Sequence, residues 1–422
     1  MGAQRTRLAN GTTVVSEAGG GVASVAFGLY FAAGSRFESV RDNGISHLLE
    51  HLVFKGSARR TGEEVNREID LLGGQANAFT SKEAVCFHNT VLAEHLERAL
   101  SLYSELVTEC LPEGIESELD RERSVVLQEI SAAEDVPEER VGDLADRSFF
   151  GDHPLALPVV GSAAAVARLD LAALRRHAGA SLVRDTLVVS AAGRVDHEWL
   201  VARVQDTLAA LPAATLNQAQ APPTPCARTR IVERDLEQVQ LCLSARGVAR
   251  DDPRRIAAEV LSCVVGEGCS SRLFREVRDR RGLAYSVGSA LACYSDAGSW
   301  NLWAAMAPEK LAATLDVIRQ VLAELRDSGI SAAELEAARE HLRTSWILGC
   351  ESPAGRMAHL ADQALIGAPR LGLGETLTAI GQVERETLHE LAREWLDGRL
   401  AVAAVGPVPH GVLPEGGWEL GG

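Results

Sequence analysis

Short apolar runs separated by polar breaks fill the start of the chain, a pattern that predicts β-strands. Asn10-Gly11 lies between two β-rich runs, which is a hairpin signal, and Val22–Ala32 is a further apolar strand region. A loop then leads to Asn43-Gly44, after which apolar residues recur with a helical period. The beginning of the chain therefore predicts strands followed by a helix.

Similar apolar runs recur in the second half of the chain. Leu187–Val195 reads LVVSAAGRV, Leu400–Val408 reads LAVAAVGPV, and each follows a helix-like segment. Gly74–Asn77 (GQAN) likewise has a counterpart in Gly282–Tyr285 (GLAY). Small apolar strands that end in glycine are common, so the agreement in order and spacing is what favours a duplication. We therefore predict an α+β protein of two related domains.

A stretch rich in Pro, Ala, Gln and Thr, Pro212–Thr229, divides the chain into two halves of nearly equal length. Its composition is typical of an extended connection between domains. The predicted domains are residues 1–211 and 230–422, joined by a linker at 212–229. The glycine-rich C-terminal end has no periodicity and predicts a loose tail.

Composition restricts the classes of function. The 422 residues carry a formal net charge of −16, which argues against a nucleic-acid partner. No apolar run is long enough to span a bilayer and no signal peptide is visible, so no membrane partner is expected. The eight cysteines are scattered, and we interpret them as mostly buried free thiols in a reducing compartment, with a structural disulfide as the alternative. These features predict a cytoplasmic protein.

The first predicted helix carries a candidate metal motif. Residues 47–51 read His-Leu-Leu-Glu-His, and on a helix His47, Glu50 and His51 fall within one narrow stripe. Histidines four residues apart project from one side at successive turns, the spacing that two imidazoles need to share a zinc ion. Glu50 lies beside them and can reach a metal-bound water. A polar stripe that faces solvent is the alternative, but the aromatic Phe54 on the same stripe weakens it.

A third ligand is expected from a second helical segment, Ile115–Ile130. Glu122 and Glu129 share one stripe there with Val125 and Val126. Carboxylates on an otherwise apolar stripe need a partner, because burying an unpaired charge is costly. The two lie two helical turns apart, about 10 Å along the axis, so both can hardly bind one ion. One of them is expected to bind the metal. The other is expected either to contact a metal ligand or to lie further from the site.

These segments resemble the M16 family of metallopeptidases, which includes pitrilysin, insulin-degrading enzyme and the mitochondrial processing peptidases. NGISHLLEHLVFKGS is close to the family pattern around its inverted metal motif, and RERSVVLQEI fits the run that ends in the third ligand. The resemblance implies one zinc ion per chain, held by His47, His51 and Glu129. Glu129 stands 78 residues after His51, slightly further than in the family, which a small loop insertion would absorb. Glu50 would then activate a zinc-bound water, and Glu122 matches a family glutamate important for activity.

The resemblance covers almost the whole chain and implies a place for the substrate. NAFTSKE matches a strand segment that lies along bound peptide in the family, so Asn77, Ala78 and Phe79 are expected to pair with the substrate. In the second half, SSRLFREVRDRRGLAYSV resembles the segment that holds the family's Arg–Tyr pair, which falls on Arg278 and Tyr285. Taken alone, these two would be a solvated helix residue and an ordinary strand residue.

Chain length places the protein with the small members of the family, which have two such domains. The second domain lacks the metal motif, since the corresponding segment, Ile256–Ser262, reads IAAEVLS. The resemblance implies that each domain packs helices on a mostly antiparallel sheet and that two subunits form a clamshell dimer. It implies a zinc-dependent endopeptidase that cleaves unfolded peptides inside a closed chamber, with Arg278 and Tyr285 holding the peptide and stabilising the oxyanion.

Two other classes of function stay open. One is a non-catalytic structural subunit, against which the intact metal motif argues. The other is one half of a heterodimeric processing peptidase. The presence of both halves of the active site in one chain favours a homodimer.

Overall fold

The computed structural model describes residues 2–19, 21–213, 221–367 and 372–420, so residues 214–220 of the predicted linker lie outside it. The strands are β1 (Gln4–Arg7), β2 (Thr13–Ala18), β3 (Ser24–Phe31), β4 (Asn77–Thr80), β5 (Val85–Leu92), β6 (Leu187–Gly193), β7 (Thr229–Val232), β8 (Val239–Arg246), β9 (Ser286–Cys293), β10 (Gly298–Met306), β11 (Arg399–Val405) and β12 (Trp418–Glu419). The α-helices are α1 (Ile45–Val53), α2 (Gly62–Leu72), α3 (Leu96–Thr108), α4 (Glu116–Asp135), α5 (Pro137–Phe150), α6 (Ala163–Val166), α7 (Leu171–Ser181), α8 (His197–Thr207), α9 (Arg255–Gly266), α10 (Leu311–Ser328), α11 (Ala332–Gly349), α12 (Pro353–Leu365), α13 (Leu373–Gln382) and α14 (Arg385–Trp395).

The strands form two sheets that share the order of five strands, β2-β6-β3-β5-β4 in the first and β7-β11-β8-β10-β9 in the second. The first sheet has the order β1-β2-β6-β3-β5-β4, and the second has β12-β11-β8-β10-β9, with β7 also paired to β11. In each sheet one pair is parallel, β2 with β6 and β7 with β11, and the other neighbours are antiparallel. The strands predicted as copies, β6 and β11, occupy the equivalent position in each sheet. The predicted pair of related α+β domains is therefore confirmed.

The chain folds as two compact units whose segments alternate along the sequence. The first unit contains Met1–Ser131, Leu157–Gln220 and Ile347–Leu373, and the second contains Ala132–Ala156, Ala221–Trp346 and Gly374–Gly422. Each unit thus includes a helical segment from the opposite half of the sequence, so the units do not follow the predicted boundaries at 211 and 230. These two helical segments belong to the other half's unit because they pack on its sheet.

In the first unit, α12 covers one face of the sheet. Met357 and Leu360 of this helix pack against Ala26 and Tyr30 of β3, whereas Phe27 and its alternate neighbours on β3 pack into the core with α1 and α3. Burial of both faces requires a strand that is apolar throughout, which is why Val22–Ala32 lacks polar alternation. In the second unit α5 packs in the same way, with Val141, Leu144 and Ala145 against β8 and β11.

The C-terminal end is not the loose tail that its composition predicted. β12 pairs antiparallel with β11, Trp418 is 2% exposed and the Arg319 guanidinium lies 5.2 Å from the centre of its ring. A strand of two residues is too short to show a period, so the prediction was wrong for a segment that tertiary packing orders.

The eight cysteines, all within the described residues, form no disulfide. None of the helices described is both long and apolar enough to cross a bilayer.

Candidate metal centre

Helix α1 is held at its N-terminus by a buried carboxylate. Glu38 accepts hydrogen bonds from the backbone N–H groups of Gly44 (2.7 Å) and Ser46 (2.9 Å) and from Nδ2 of Asn43 (3.0 Å). Burial raises the pKa of Glu38, and the bonds from Gly44 and Ser46 oppose that shift. An acceptor at this point satisfies N–H groups that have no partner inside the helix. The first turn of α1, which contains His47, is thereby fixed.

The apolar face of α1 is buried as its sequence pattern predicts. The five residues of that face are at most 4% exposed: Ile45, Leu48, Leu49, Leu52 and Val53. Because this face is anchored in the core, the opposite stripe must present His47, Glu50 and His51 together.

His47, His51 and Glu129 converge on one point. Their nitrogen and carboxylate oxygen atoms all lie within 4.8 Å of one another. Glu129 Oε2 is 3.5 Å from His51 Nε2 and 3.9 Å from His47 Nε2. The Glu129 side chain is 44% exposed, so this group of ligands is open towards solvent on one side. Two imidazole nitrogens, one carboxylate oxygen and an open position are the donor set of a catalytic zinc.

The state of His47 also fits a metal ligand. Within the described residues its buried Nδ1 has no hydrogen-bond partner. Burial, together with the neighbouring His51, lowers the pKa of His47 to about 4. The imidazole is therefore neutral near pH 7, which is the form that binds a metal. The residues present fit a zinc ion.

Glu122 lies behind His51 rather than among the converging atoms. Its Oε2 is 3.2 Å from His51 Nδ1, and its Oε1 is 2.8 Å from Lys55 Nζ. A carboxylate at the second nitrogen of a histidine fixes the orientation and tautomer of the ring. Of the two arrangements that the sequence left open, the structure places Glu129 with the histidine Nε2 atoms and Glu122 in the surrounding layer.

Glu50 is tied to the edge of the first sheet. The hydroxyl of Thr80 donates a 2.6 Å hydrogen bond to Glu50 Oε2. Burial raises the pKa of Glu50, and the bond from Thr80 counters part of that shift. Sequence reasoning did not single out Thr80 or Lys55. Thr80 closes the NAFT run, and strand alternation that puts Phe79 on one face puts Thr80 on the other.

β4, which holds Asn77, Ala78 and Phe79, is an edge strand of the first sheet. The backbone N–H of Gln75 bonds to the carbonyl of Thr90, and this register continues with Asn77 opposite His88. In an antiparallel ladder the intervening residues turn their N–H and C=O groups outward, so those of Ala78 face the open edge. The Ala78 N–H is met there by Oδ1 of Asn77, at 2.9 Å.

Arg278 and Tyr285 lie together in the second unit. Arg278 belongs to a π-helical turn, Phe274–Asp279, and Tyr285 directly precedes β9. The guanidinium carbon is 4.6 Å from the centre of the Tyr285 ring and 4.8 Å from that of Phe274, which are cation–π contacts. Tyr285 is 76% exposed, so its hydroxyl is accessible. Arg278 and Tyr285 are therefore already in contact with each other. Neither lies in an α-helix or a β-strand.

Comparisons with known proteins agree with these observations. The family model "Insulinase (Peptidase family M16)" matches residues 13–163, and the model "Peptidase M16 inactive domain" matches residues 168–342. An uncharacterized zinc protease of Mycobacterium bovis is 36% identical over 419 residues, which cover 97% of this chain and 93% of the relative. An uncharacterized zinc protease of Bacillus subtilis is 32% identical over 404 residues, covering 96% and 98%.

The fold is shared with solved structures. The crystal structure of a peptidase M16 inactive domain from Pseudomonas fluorescens matches with a TM-score of 0.89 at 22% sequence identity, covering 97% of this chain and 98% of that one. The relatives cover nearly the whole chain, and the two family models match consecutive parts of it. The chain belongs to peptidase family M16.

Proposed function

We propose that this chain is a zinc-dependent endopeptidase. The observation that carries the proposal is the convergence of His47, His51 and Glu129 within 4.8 Å, with Glu50 on the same stripe of α1. We assign one zinc ion per chain to these three ligands. The names of the relatives, which are zinc proteases, support the same assignment.

The chemistry divides between the metal and the side chains around it. When bound, zinc supplies a Lewis acid that polarises a peptide carbonyl and acidifies water. Glu50, held at Oε2 by Thr80, takes a proton from the attacking water at Oε1 and passes it to the leaving amine. Glu122 keeps the His51 ring in the orientation that leaves Nε2 free to bind.

The substrate is proposed to add as a strand at the open edge of β4. The outward N–H and C=O of Ala78 provide main-chain hydrogen bonds, once Asn77 Oδ1 releases the N–H that it covers. Thr80, on the same strand, contacts Glu50. A peptide on this edge is therefore aligned by the strand that also positions the base.

Arg278 and Tyr285 are proposed to hold the peptide and stabilise the oxyanion. They lie in the second unit, whereas the metal ligands lie in the first. We propose a clamshell homodimer that completes each site between two chains around a closed chamber, so that unfolded peptides are cleaved. We also propose a reducing, cytoplasmic location, which the lack of disulfides among eight cysteines supports.

Removal of the metal tests the proposal. Protein treated with a chelator should lose cleavage of a short unstructured peptide, and added Zn²⁺ should restore it. Circular dichroism before and after treatment controls for unfolding. Metal-free protein that cleaves the peptide at the untreated rate would refute the zinc mechanism.

A further inference from the structure

A second group of metal-binding side chains lies in the second unit, at Cys263, Glu267 and His341. The thiol sulfur, a carboxylate oxygen and an imidazole nitrogen all lie within 4.8 Å of one another. Cys263 is one helical turn before Glu267, at the C-terminal end of α9, and His341 belongs to α11. The three line a surface pocket of about 440 Å³.

The helices that carry this group are the counterparts of those that carry the first one. α9 lies between β8 and β9 along the chain as α1 lies between β3 and β4, and α11 follows α10 as α4 follows α3. In both units, two side chains four residues apart, on the earlier helix or directly at its end, meet one side chain from the later helix. The duplicated framework thus brings metal-binding side chains together twice, with different donors.

Charges around the group favour a cation. Cys263 is 3% exposed, and its thiol donates to Oε2 of Glu267 at 3.3 Å. One arginine, Arg275, lines the pocket, and it lies 3.4 Å from Glu276. Glu334, which also lines the pocket, is paired with Arg272 at 2.7 Å. Among the described residues, no ion pair to Glu267 is found.

We propose that Cys263, Glu267 and His341 bind a second zinc ion, which cross-links the end of α9 to α11. A thiolate, an imidazole and a carboxylate are donors that zinc accepts together, whereas Mg²⁺ and Ca²⁺ prefer oxygen ligands alone. On binding, the Sγ–H bond breaks, the sulfur–metal bond forms and the proton passes to solvent. This site is separate from peptide cleavage and does not rest on the proposed activity.

Cobalt(II) distinguishes the two sites, because a thiolate ligand gives a charge-transfer absorption in the near ultraviolet that histidine and carboxylate ligands lack. The full-length protein is stripped of metal and titrated with Co²⁺. Wild type should show the thiolate band, and Cys263→Ser should lose it. His341→Ala keeps the thiol but should require at least about tenfold more Co²⁺.

Two matched variants control for other sources of the signal. Cys269→Ser removes an exposed cysteine outside the group, and Glu129→Gln changes only the first group, so both should keep the band. Circular dichroism checks that each variant is folded. If Cys263→Ser does not fold, the Co²⁺ titration of His341→Ala tests the proposal in its place. Absence of the band in wild type, its survival in Cys263→Ser, its loss in Cys269→Ser or unchanged binding in His341→Ala would overturn the proposal.

Discussion

A buried carboxylate lies between a histidine and a lysine of the candidate metal centre. Glu122 is 4% exposed, and its two oxygens contact His51 and Lys55. The lysine balances the charge, so the carboxylate can remain buried without a direct bond to the metal. We therefore propose that Glu122 is a positioning residue and that Glu129 is a ligand.

Glu122→Gln tests that distinction. The amide keeps the size of the side chain but loses the charge that orients the His51 ring, so kcat/KM should fall about 10- to 100-fold. Zinc content at near-stoichiometric metal should change less than activity. Glu118→Gln, on the same helix and paired with Arg121 on the surface, is the matched control and should be neutral. Equal loss of zinc and activity, or no loss of either, would contradict the assigned role.

Spacing alone predicted part of this site. The intervals in His-Leu-Leu-Glu-His fix His47, Glu50 and His51 on one face because helix geometry is local. Spacing could not choose between Glu122 and Glu129, since that depends on how α4 lies against α1. It missed Thr80 for the same reason, because the bond to Glu50 exists only where β4 meets α1.

At the scale of elements, α11 begins with a reciprocal cap that also joins an ion pair. Ser331 and Glu334 exchange hydrogen bonds between side chain and backbone, and Glu334 accepts two more from Arg272. Burial opposes ionisation of Glu334, but the bonds from Arg272 and Ser331 outweigh it and hold the pKa at about 2, below the ordinary 4.5. One carboxylate thus supports both the helix start and Arg272.

This pair predicts a pH dependence of stability. Because the folded-state pKa is depressed, the stabilisation is complete above about pH 4.5 and is lost as the pH falls towards 2. Glu334→Gln should lower the free energy of unfolding by about 1–3 kcal/mol at neutral pH and flatten the dependence in that window. Urea unfolding of wild type and variant, with chelator present, at neutral pH and near pH 3 measures the loss of free energy of unfolding and its pH dependence.

The control for that experiment is Glu336→Gln, an exposed residue of the same helix. It should change the free energy of unfolding by no more than about 0.5 kcal/mol. Equal effects of the two substitutions, or a Glu334→Gln variant that retains the full pH dependence, would contradict the interpretation.

Individual helices and strands were more predictable than the elements against which they pack. The Asn10-Gly11 hairpin and the strands that become β6 and β11 follow from turn residues and apolar runs. The packing of α5 and α12 on the faces of the sheets does not, because a helix shows in its sequence that one face is apolar but not which sheet will cover it.

At the scale of the whole molecule, duplication has produced two similar frameworks with different chemistry. The first unit holds the His47, His51 and Glu129 group, and the second holds Arg278 and Tyr285. The presence of two related domains could be predicted, because repeated segments imply a repeated fold, whereas the order of the strands in each sheet could not. The expectation of a dimer could not be derived from the residues of one chain, and it rests on the family resemblance alone.

If two chains complete each site, inactive variants should rescue each other. Glu50→Gln and Tyr285→Phe should each be inactive or weak alone. After subunit exchange, about half of the dimers would be mixed, and each would carry one intact site of two, so activity should approach about a quarter of wild type. Proven exchange without any recovery would show that each site is completed within one chain.

We propose that Glu50 is a base and not a ligand, at a zinc held by His47, His51 and Glu129. Glu50→Gln is best measured in a Cys263→Ser background, so that zinc content reports the first group alone. Glu50→Gln should retain about one zinc per chain, and its turnover of an unstructured peptide should fall by about 10²- to 10⁴-fold. Glu129→Gln should lose the metal. A Glu50→Gln protein that cleaves the peptide at nearly the parental rate, or that loses its zinc as Glu129→Gln does, would contradict this proposal.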